Sequence, residues 1–417
     1  MKKIALLSAL ALTVSSPLMA GGYKLPENSI NGTALSAANV ANAHGADASY
    51  YNPAAMVFSD AGASFEAAAT LVHLPGISVT STKATIDNDE TKVENILVPT
   101  FHYVSPLMGN MRYGLSVVSP GGLSKRWKGD GQAFAEEFTL KTVEINPTLS
   151  FKVNERVALG GGVRVIYSKG IVKSDDGGIN TIHPALNFAR DLEGDSWDFG
   201  YNLALHVKAT DDLDLTATYR SKVELTEDGT ATLSGGLSTY TGDATVMVPL
   251  PATLSLAAAY DVSDATTVEV VLERTYWSAY KELDFNYANP TAVATGGYTA
   301  LFDNPSPKNW KDVNTLRLGL THQVNPKWTV MAGFAYDKTP APEEYVGFEL
   351  PDSDAKMISF GARYQQSDKL TIGGALLYDK KDKLVVDDSV SSVLIGETHT
   401  FTNAAAILAT VGIEYKF

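Results

Sequence analysis

The sequence predicts an all-β transmembrane fold, a fourteen-stranded antiparallel β-barrel of the outer-membrane type with an N-terminal plug (hatch) inside its lumen. Three observations support it: an export leader, segments of about ten residues in which apolar and polar side chains alternate, and connections that alternate between short and long. The chain has 417 residues, a formal net charge of −14 and no cysteine. This composition argues against nucleic-acid binding, disulfides and Cys-ligated metal sites.

The first twenty residues have the layout of a secretory signal peptide. Lys2 and Lys3 precede an apolar run over residues 4–14, which Ser-Ser-Pro ends before the small residue Ala20. A spanning helix needs roughly 20 apolar residues, so this run is too short to be an anchor. We therefore predict a signal peptide over residues 1–20 that is removed after Ala20.

Alternation of apolar and polar side chains runs through most of the chain. Between Trp197 and Val207 every odd position is apolar, whereas the even positions carry Asp, Gly, Asn, Ala and His. A period of two places alternate side chains on opposite faces of a strand. Soluble antiparallel sheets alternate as well, so the connections decide: tight turns such as 153–155 and 325–327 alternate with long loops, as in bacterial barrels.

The pattern predicts fourteen strands, an even number. They are placed at 62–73, 95–106, 111–119, 139–153, 155–169, 196–209, 212–226, 247–260, 266–279, 312–323, 327–337, 355–366, 369–380 and 404–417.

Residues 21–60 do not fit the alternation. They are rich in Ala, Gly, Asn and Ser, which suits a mobile tail, but the stretch 50–56 is too apolar for one. Because fourteen strands enclose more space than their own side chains fill, we predict that residues 21–60 fold into the lumen as a plug and that residues 61–417 form the barrel.

Five motifs occur in an order typical of one family. Glu27, Asn28 and Ser29 are followed by a run rich in Ala, Gly and Asn that ends at Asn52, Pro53 and Ala54. Further motifs lie at 98–103, 113–116, 275–278 and 337–342, the last followed by 350–352. From residue 22 to 417 the chain resembles the FadL-type long-chain fatty acid transporters of the Gram-negative outer membrane, a family that also contains aromatic hydrocarbon channels.

The resemblance implies passive uptake of a hydrophobic acid without a cofactor. A groove among extracellular loops captures the ligand, a deep lumen site binds it, and a shift of the plug's N-terminal end releases it. The ligand then leaves sideways where the third strand kinks. An alkyl chain gains about 0.8 kcal/mol per buried CH₂, so an apolar tunnel that opens into lipid suits it better than a watery pore.

The resemblance also implies three groups of site residues. The plug motif is Asn52, Pro53 and Ala54. The third-strand kink with its lateral opening is Gly114, Leu115 and Ser116. The deep substrate site comprises Tyr23, Lys169 and Asp337, with Lys308 and Lys311 near a second cation.

Two of these residues raise questions. The family has a smaller residue at the position of Leu115, which leaves the size of the lateral opening undecided. Alternation points Asp337 inward, but it places Lys169 on the same face as Val165 and Tyr167, toward lipid. Only a bulge or an early end of the fifth strand would turn Lys169 into the lumen.

The loop over residues 120–138 is a candidate outer groove because it mixes apolar side chains with cations. The predicted groove residues are Leu123, Trp127, Phe134 and Phe138. Packing of these side chains against neighbouring loops is the alternative.

No catalytic or metal site is predicted. The histidines are scattered and form neither an H-E-x-x-H pair nor part of a G-x-S-x-G elbow motif. We expect a channel and not an enzyme, and the alternatives are a channel for aromatic hydrocarbons or other neutral molecules, a surface-binding or adhesion barrel, and a barrel enzyme.

The expected partners are a long-chain fatty acid or similar hydrophobic ligand, outer-membrane lipid and lipopolysaccharide, and the barrel assembly machinery. The last expectation follows from the final strand, which ends on Phe417 and resembles the terminal motif of bacterial outer-membrane proteins. We expect no nucleic-acid partner, a monomer, and both termini in the periplasm.

Overall fold

A computed structural model describes residues 21–60, 62–82, 88–176, 188–391 and 397–417. The predicted signal peptide, residues 1–20, lies outside the described residues. Within the described part the predicted fourteen antiparallel strands are confirmed, and the first strand pairs with both the second and the fourteenth, so the sheet closes into a barrel. No helix among the described residues is long and apolar enough to cross a membrane.

The barrel strands are numbered in chain order, and an interrupted strand counts as one. The first six are Ser64–Leu74, Glu94–Val104, Met111–Val118 with Gly122–Lys125, Glu137–Lys152, Val157–Asp175 and Ala189–Lys208. The next four are Leu213–Arg220 with Val223–Ser234, Tyr240–Leu250 with Thr253–Ser263, Thr266–Thr275 and Val313–Asn325. The last four are Trp328–Asp337, Ala355–Gln365, Leu370–Lys381 and Ala405–Lys416.

The predicted alternation determines which side chains face out. In the sixth strand Phe199 and Leu203 are exposed on the outer surface, whereas Asn202 and His206 are buried on the inside. The outer surface of the other strands likewise exposes large apolar side chains. An apolar outer band around a polar interior is the pattern that a lipid environment demands of a barrel.

The sequence underestimated the fifth to eighth strands, which extend further toward the long connections. In the seventh strand Arg220 and Val223 both face inward, so the inward positions change from even to odd across residues 221 and 222. In the eighth strand Leu250 and Thr253 show the same change. The predicted strands cross both irregularities, and residues 227–234 and 240–246 lie beyond their predicted ends.

Residues 21–60 lie inside the barrel, where they contact the inward-facing side chains of its wall. This plug contains two short helices, α1 (Ile30–Ala34) and α2 (Ala48–Tyr51), and the 3₁₀ helix Pro53–Phe58. The carboxylate of Glu269 on the ninth strand accepts the backbone N–H groups of Val40 and Ala41, both at 2.7 Å. Such wall contacts satisfy backbone groups in the irregular segment between the two helices.

Inward-facing arginines join the wall to the plug. Arg317 donates to the backbone oxygen of Ser36 at 2.9 Å, and Arg363 donates to the side chain of Asn31 at 2.7 Å. Each is also paired with wall carboxylates. Buried arginines of this kind hold the plug at defined positions because breaking one pair would leave an uncompensated charge.

The long connections fold over one end of the barrel. Four short strands form a separate sheet: Ser78–Ser81, Asp89–Glu90, Leu384–Val386 and His399–Thr402. Two further pieces, Glu282–Leu283 and Ser306–Pro307, pair with each other, and a third helix, α3 (Gln132–Ala135), and a fourth, α4 (Pro290–Gly296), lie in the loops. Trp127 is buried among these loops, which makes this end a packed cap.

Candidate functional site

A deep cavity of about 650 Å³ lies beneath the cap. Its wall is mostly apolar and aromatic, and it includes Leu123, Phe138 and Leu350 from the loops and strands above. Tyr23 of the plug closes its lower side together with Tyr280 and Trp310. A concave site with an apolar lining and few polar groups is typical of a binding site for a small hydrophobic ligand.

The floor of the deep cavity is a cluster of aromatic rings. The ring of Tyr23 lies 4.8 Å from that of Trp277, 6.0 Å from that of Tyr280 and 5.8 Å from that of Trp310. Its hydroxyl group donates to the backbone oxygen of Pro249 at 2.5 Å. Edge-to-face ring pairs and this hydrogen bond hold Tyr23 between the cavity and the interior of the barrel.

Three charged residues line the deep cavity within the part of the chain that the structure describes. Lys308 is buried and forms an ion pair with Glu349. Glu227 of the seventh strand is also buried, and its Oε1 atom has no hydrogen-bond partner among the described residues. The formal charge of the lining is therefore negative, with the single lysine already paired.

The first plug residues fit tightly against the wall. Gly21 and Gly22 have φ angles of +76° and +80°, a conformation that other residues rarely adopt. A Cβ atom at Gly22 would lie 2.6 Å from the ring of Trp310, and one at Gly21 would lie 2.7 Å from the carboxylate of Asp337. Asp337 faces inward, as alternation predicted, and accepts a hydrogen bond from Thr315 at 2.6 Å.

The third strand is interrupted where it meets the plug. It ends at Val118 and resumes at Gly122, and residues 119–121 stand opposite only two residues of the fourth strand. The backbone N–H of Leu25 donates to Pro120 at 3.0 Å, and the N–H of Gly122 donates to Tyr23 at 2.7 Å. The beginning of the plug is therefore bonded to the break in the wall.

The predicted kink at Gly114, Leu115 and Ser116 is wrong in position. These three residues are regularly paired with the second and fourth strands. The break lies several residues later because Pro120 has no N–H group to donate to a ladder. Gly114 and Ser116 instead face the plug, where Ser116 and Ser49 are hydrogen-bonded at 2.8 Å.

An opening in the barrel wall adjoins this break. Among the described residues, the second and third strands pair only from Phe101 and Val117 toward the short turns. Above this point lies a space of about 860 Å³ with a lining of Pro99, Thr100, Phe101, Leu115, Val117, Val118, Ser119 and Val143. Most of these side chains are apolar, and the side chain of Leu115 borders the opening from outside.

A third space of about 730 Å³ lies between the plug and the wall. Lys24 and Leu25 of the plug and Pro120 of the third strand line it, together with Glu273 and Arg317 of the wall. Lys24 and Arg317 both form ion pairs with Glu273. Residues 23–26 thus separate the deep cavity from this space, and the break at 119–121 separates the space from the wall opening.

The predicted plug motif anchors the other end of the plug. The side-chain amide of Asn52 donates to the backbone oxygen of Val40 at 2.8 Å and lies 3.2 Å from His206 Nδ1. The backbone of Pro53 and Ala54 lies directly against Gly160, where a Cβ atom would overlap it. The motif therefore has a close structural fit to the wall.

Two of the predicted deep-site cations are wrong. Lys169 points outward from the fifth strand and pairs with Glu193, so the alternation is right and no bulge turns it inward. Lys311 is exposed outside the deep cavity, because it follows Trp310, whose ring occupies the inward position. Of the three candidate lysines, Lys308 lines the deep cavity.

The predicted outer groove does not form as one surface. Leu123 and Phe138 line the deep cavity. Trp127 is fully buried and packs edge-on against Phe348 at 4.9 Å, so the alternative of packing against neighbouring loops is correct for it. Phe134 is exposed and stacks on the opposite side of the same cluster, at 4.9 Å from Phe348.

Sequence reasoning missed several residues of the site. Tyr280 and Trp310 lie in irregular segments, where alternation gives no direction for a side chain. The signal that could have found them is their closeness in sequence to Trp277 and to Lys308, respectively. Glu227 was missed for a different reason. Continuing the alternation from Arg220 would point Glu227 outward, and the change of parity at residues 221 and 222 turns it into the deep cavity.

Comparison with known proteins gives a consistent result. The sequence model of the family described as "Outer membrane protein transport protein (OMPP1/FadL/TodX)" matches residues 11–417. The chain is 25% identical over 410 residues to the long-chain fatty acid transport protein of Escherichia coli (strain K12), covering 87% of this chain and 88% of that protein. It is 23% identical over 391 residues to outer membrane protein P1 of Haemophilus influenzae, covering 83% and 81%.

Solved structures show the same fold. A Pseudomonas aeruginosa FadL homologue superimposes with a TM-score of 0.83 at 20% identity, over 95% of this chain and 100% of that chain. The Ralstonia pickettii toluene transporter TbuX gives a TM-score of 0.68 at 18% identity, over 96% and 99%.

Proposed function

Because the chain belongs to the family of outer membrane transport proteins OMPP1/FadL/TodX, we propose that it is a passive channel for long-chain fatty acids. The resemblance found in the sequence is confirmed, and the protein is a multi-pass β-barrel of the Gram-negative outer membrane. The end with short turns is periplasmic, and the cap faces outward.

The main observation that supports this proposal is the wall opening between the second and third strands. An apolar ligand gains most by passing directly into lipid, at about 0.8 kcal/mol per buried CH₂. Pro99, Phe101 and Val143 border the opening with apolar surface. A water-filled pore would have no need for such an exit.

The route begins in the deep cavity, where apolar side chains bind the alkyl chain above Tyr23. Movement of residues 21–26 away from the wall joins this cavity to the space beside Lys24. The same movement breaks the bonds of Tyr23 and Leu25 to the third strand and frees the break at residues 119–121. Release and lateral exit are thereby coupled to one segment of the plug.

Uptake of radiolabelled oleate by cells that lack their own transporter tests the exit. Replacing Leu115→Trp puts a large side chain at the border of the wall opening, and we expect uptake to fall while surface levels stay normal. The matched control is Leu149→Trp, on the outer face of the fourth strand away from the opening. Equal uptake by both variants and the parent would contradict lateral exit.

A second candidate substrate class is neutral aromatic hydrocarbons. The observation in its favour is that Lys308, which lines the deep cavity, is already paired with Glu349 above an aromatic floor. Curated relatives at 24–25% identity are named long-chain fatty acid transport proteins, which favours the acid. Uptake of toluene without uptake of oleate by the same cells would reverse this order.

A further inference from the structure

The deep cavity contains a buried carboxyl group, that of Glu227, in which one oxygen has no hydrogen-bond partner among the described residues. Glu227 is 3% exposed, and its Oε1 atom accepts no hydrogen bond from the described residues. Its other oxygen lies over Gly170, where a Cβ atom on residue 170 would overlap this oxygen. The absence of a side chain at Gly170 therefore leaves room for the carboxyl group of Glu227.

Glu227 reaches the cavity because of the irregularity in the seventh strand. The change of parity between Arg220 and Val223 turns it inward, beside Val246 and Val248 of the eighth strand. Its surroundings are apolar, and Tyr23 and Tyr280 lie on the floor below it. The group is thus placed where the polar end of a ligand with an apolar tail would be found.

The nearby cations are already engaged. Lys308 is paired with Glu349. The guanidinium of Arg190 lies over the rings of Phe285 and Phe302, at 4.9 Å and 5.2 Å from their centroids. Neither is hydrogen-bonded to Glu227 in the described part of the chain, so Oε1 of this carboxyl group has no partner there.

An unused acceptor in an apolar cavity costs free energy, and a ligand that donates a hydrogen bond recovers it. A ligand carboxylate has no hydrogen to donate and would bring its own negative charge into a medium of low dielectric constant. An alcohol or an undissociated carboxylic acid has an O–H group and no charge.

We propose that Glu227 is a specificity-determining residue that accepts a hydrogen bond from a neutral, hydroxyl-bearing head group. The inference rests on the proposed function and deepens it: the long-chain ligand lies in the deep cavity as an alcohol or as the undissociated acid. Its alkyl tail occupies the apolar part of the cavity, and its O–H group points to Oε1 of Glu227.

Two ligands that differ only in the donor test this proposal. Oleyl alcohol and oleyl methyl ether share the same tail, but the ether has no O–H group. Competition against tritiated oleyl alcohol on the purified full chain in detergent measures both affinities. We expect the parent protein to bind the alcohol roughly tenfold more tightly, as one buried hydrogen bond to a carboxylate provides.

Variants then assign the effect to one residue. In Glu227→Leu we expect the alcohol and the ether to bind equally, whereas Glu227→Gln keeps part of the preference because its amide oxygen still accepts. Glu224→Gln is the matched control, since Glu224 is exposed on the outer face of the same strand and pairs with Lys222. Heat-modifiable gel mobility checks that each variant is folded.

Binding measurements on the parent protein are sufficient to contradict the inference. Equal binding of alcohol and ether, or tighter binding of oleate than of the alcohol at pH 8, would contradict it. If oleate uptake through the wall opening persists in that case, the proposed function stands without this role of Glu227. If neither ligand binds and oleate uptake is absent, both proposals fail.

Discussion

The two ends of the plug are attached to the barrel in different ways. The C-terminal end, residues 47–58, contacts the wall at short range: Ser49 bonds to Ser116, and Ala54 accepts a hydrogen bond from Ser150 at 3.1 Å. The guanidinium of Arg220 also lies 4.3 Å from the ring centroid of Tyr50. The N-terminal end, residues 21–27, is held by aromatic rings, ion pairs and two backbone bonds to the break in the third strand.

Space around the two ends differs as well. Tyr50 and Tyr51 border the space beside Lys24. Residues 52–58 line none of the cavities described above, and the wall glycine Gly160 lets their backbone approach closely. Residues 23–26 lie between the deep cavity and the space beside Lys24. A segment with empty volume on both sides can move without creating overlaps, whereas a close-packed segment cannot. From this comparison we expect anchoring at the C-terminal end of the plug and movement at its N-terminal end.

The largest effect is expected where the anchor touches the wall. Gly160→Val would place a side chain into the backbone of Pro53 and Ala54. Overpacking typically costs about 1–3 kcal/mol, so the temperature of the heat-induced gel shift should fall by several degrees. The control is Gly374→Val, whose Cβ would be 3.5 Å from the nearest atom. A similar loss in both variants would show that the anchor fit is unimportant.

A pH effect of intermediate size should be confined to the N-terminal end. Glu27 is buried with no hydrogen-bond partner among the described residues for either carboxylate oxygen, and Arg317 is 3.8 Å away. Burial raises the pKa of Glu27 from 4.5 to about 7, against the opposing effect of Arg317. The closed plug therefore holds a proton that an opened, solvated plug releases between these two pH values.

The sign of the pH effect follows from the difference between the pKa of Glu27 in the closed plug and its ordinary pKa. Closure is favoured most at low pH and is weakened as pH rises toward about 7, above which the closed plug contains a buried carboxylate. Hydrogen exchange at residues 22–27, corrected for intrinsic rates, should accelerate from pH 5 to pH 8, and Glu27→Gln should abolish the change. The same acceleration at residues 48–58 would mean that the whole plug responds.

The smallest effect is expected from tethering the anchored end. Ser49 and Ser116 Oγ atoms lie 2.8 Å apart, and the natural chain has no cysteine to interfere. Ser49→Cys with Ser116→Cys should form a disulfide, and oleate uptake should be the same in the oxidised and reduced states. Uptake that stops on oxidation and returns on reduction would show that the C-terminal end must move too.

Local patterns predicted much of the fold. The number of strands, the outward direction of Lys169 and the inward direction of Asp337 all followed from a period of two, because the pleat of a strand sets these directions residue by residue. The candidate site was predicted less well. Asn52 and Tyr23 were proposed by resemblance, with Lys308 near a second cation, and their roles stay predictions. The kink was misplaced because nothing local showed that Pro120 would meet the plug.

By itself, the sequence determined a closed barrel of fourteen strands, the face of most of its side chains and the existence of an unusual N-terminal segment. Only the tertiary structure decided that Tyr23, Trp310 and Glu227 meet in one cavity and that the wall opens beside residues 119–121. The physical reason is that these features depend on changes of strand parity and on contacts between distant parts of the chain, which appear only when the barrel closes around its plug.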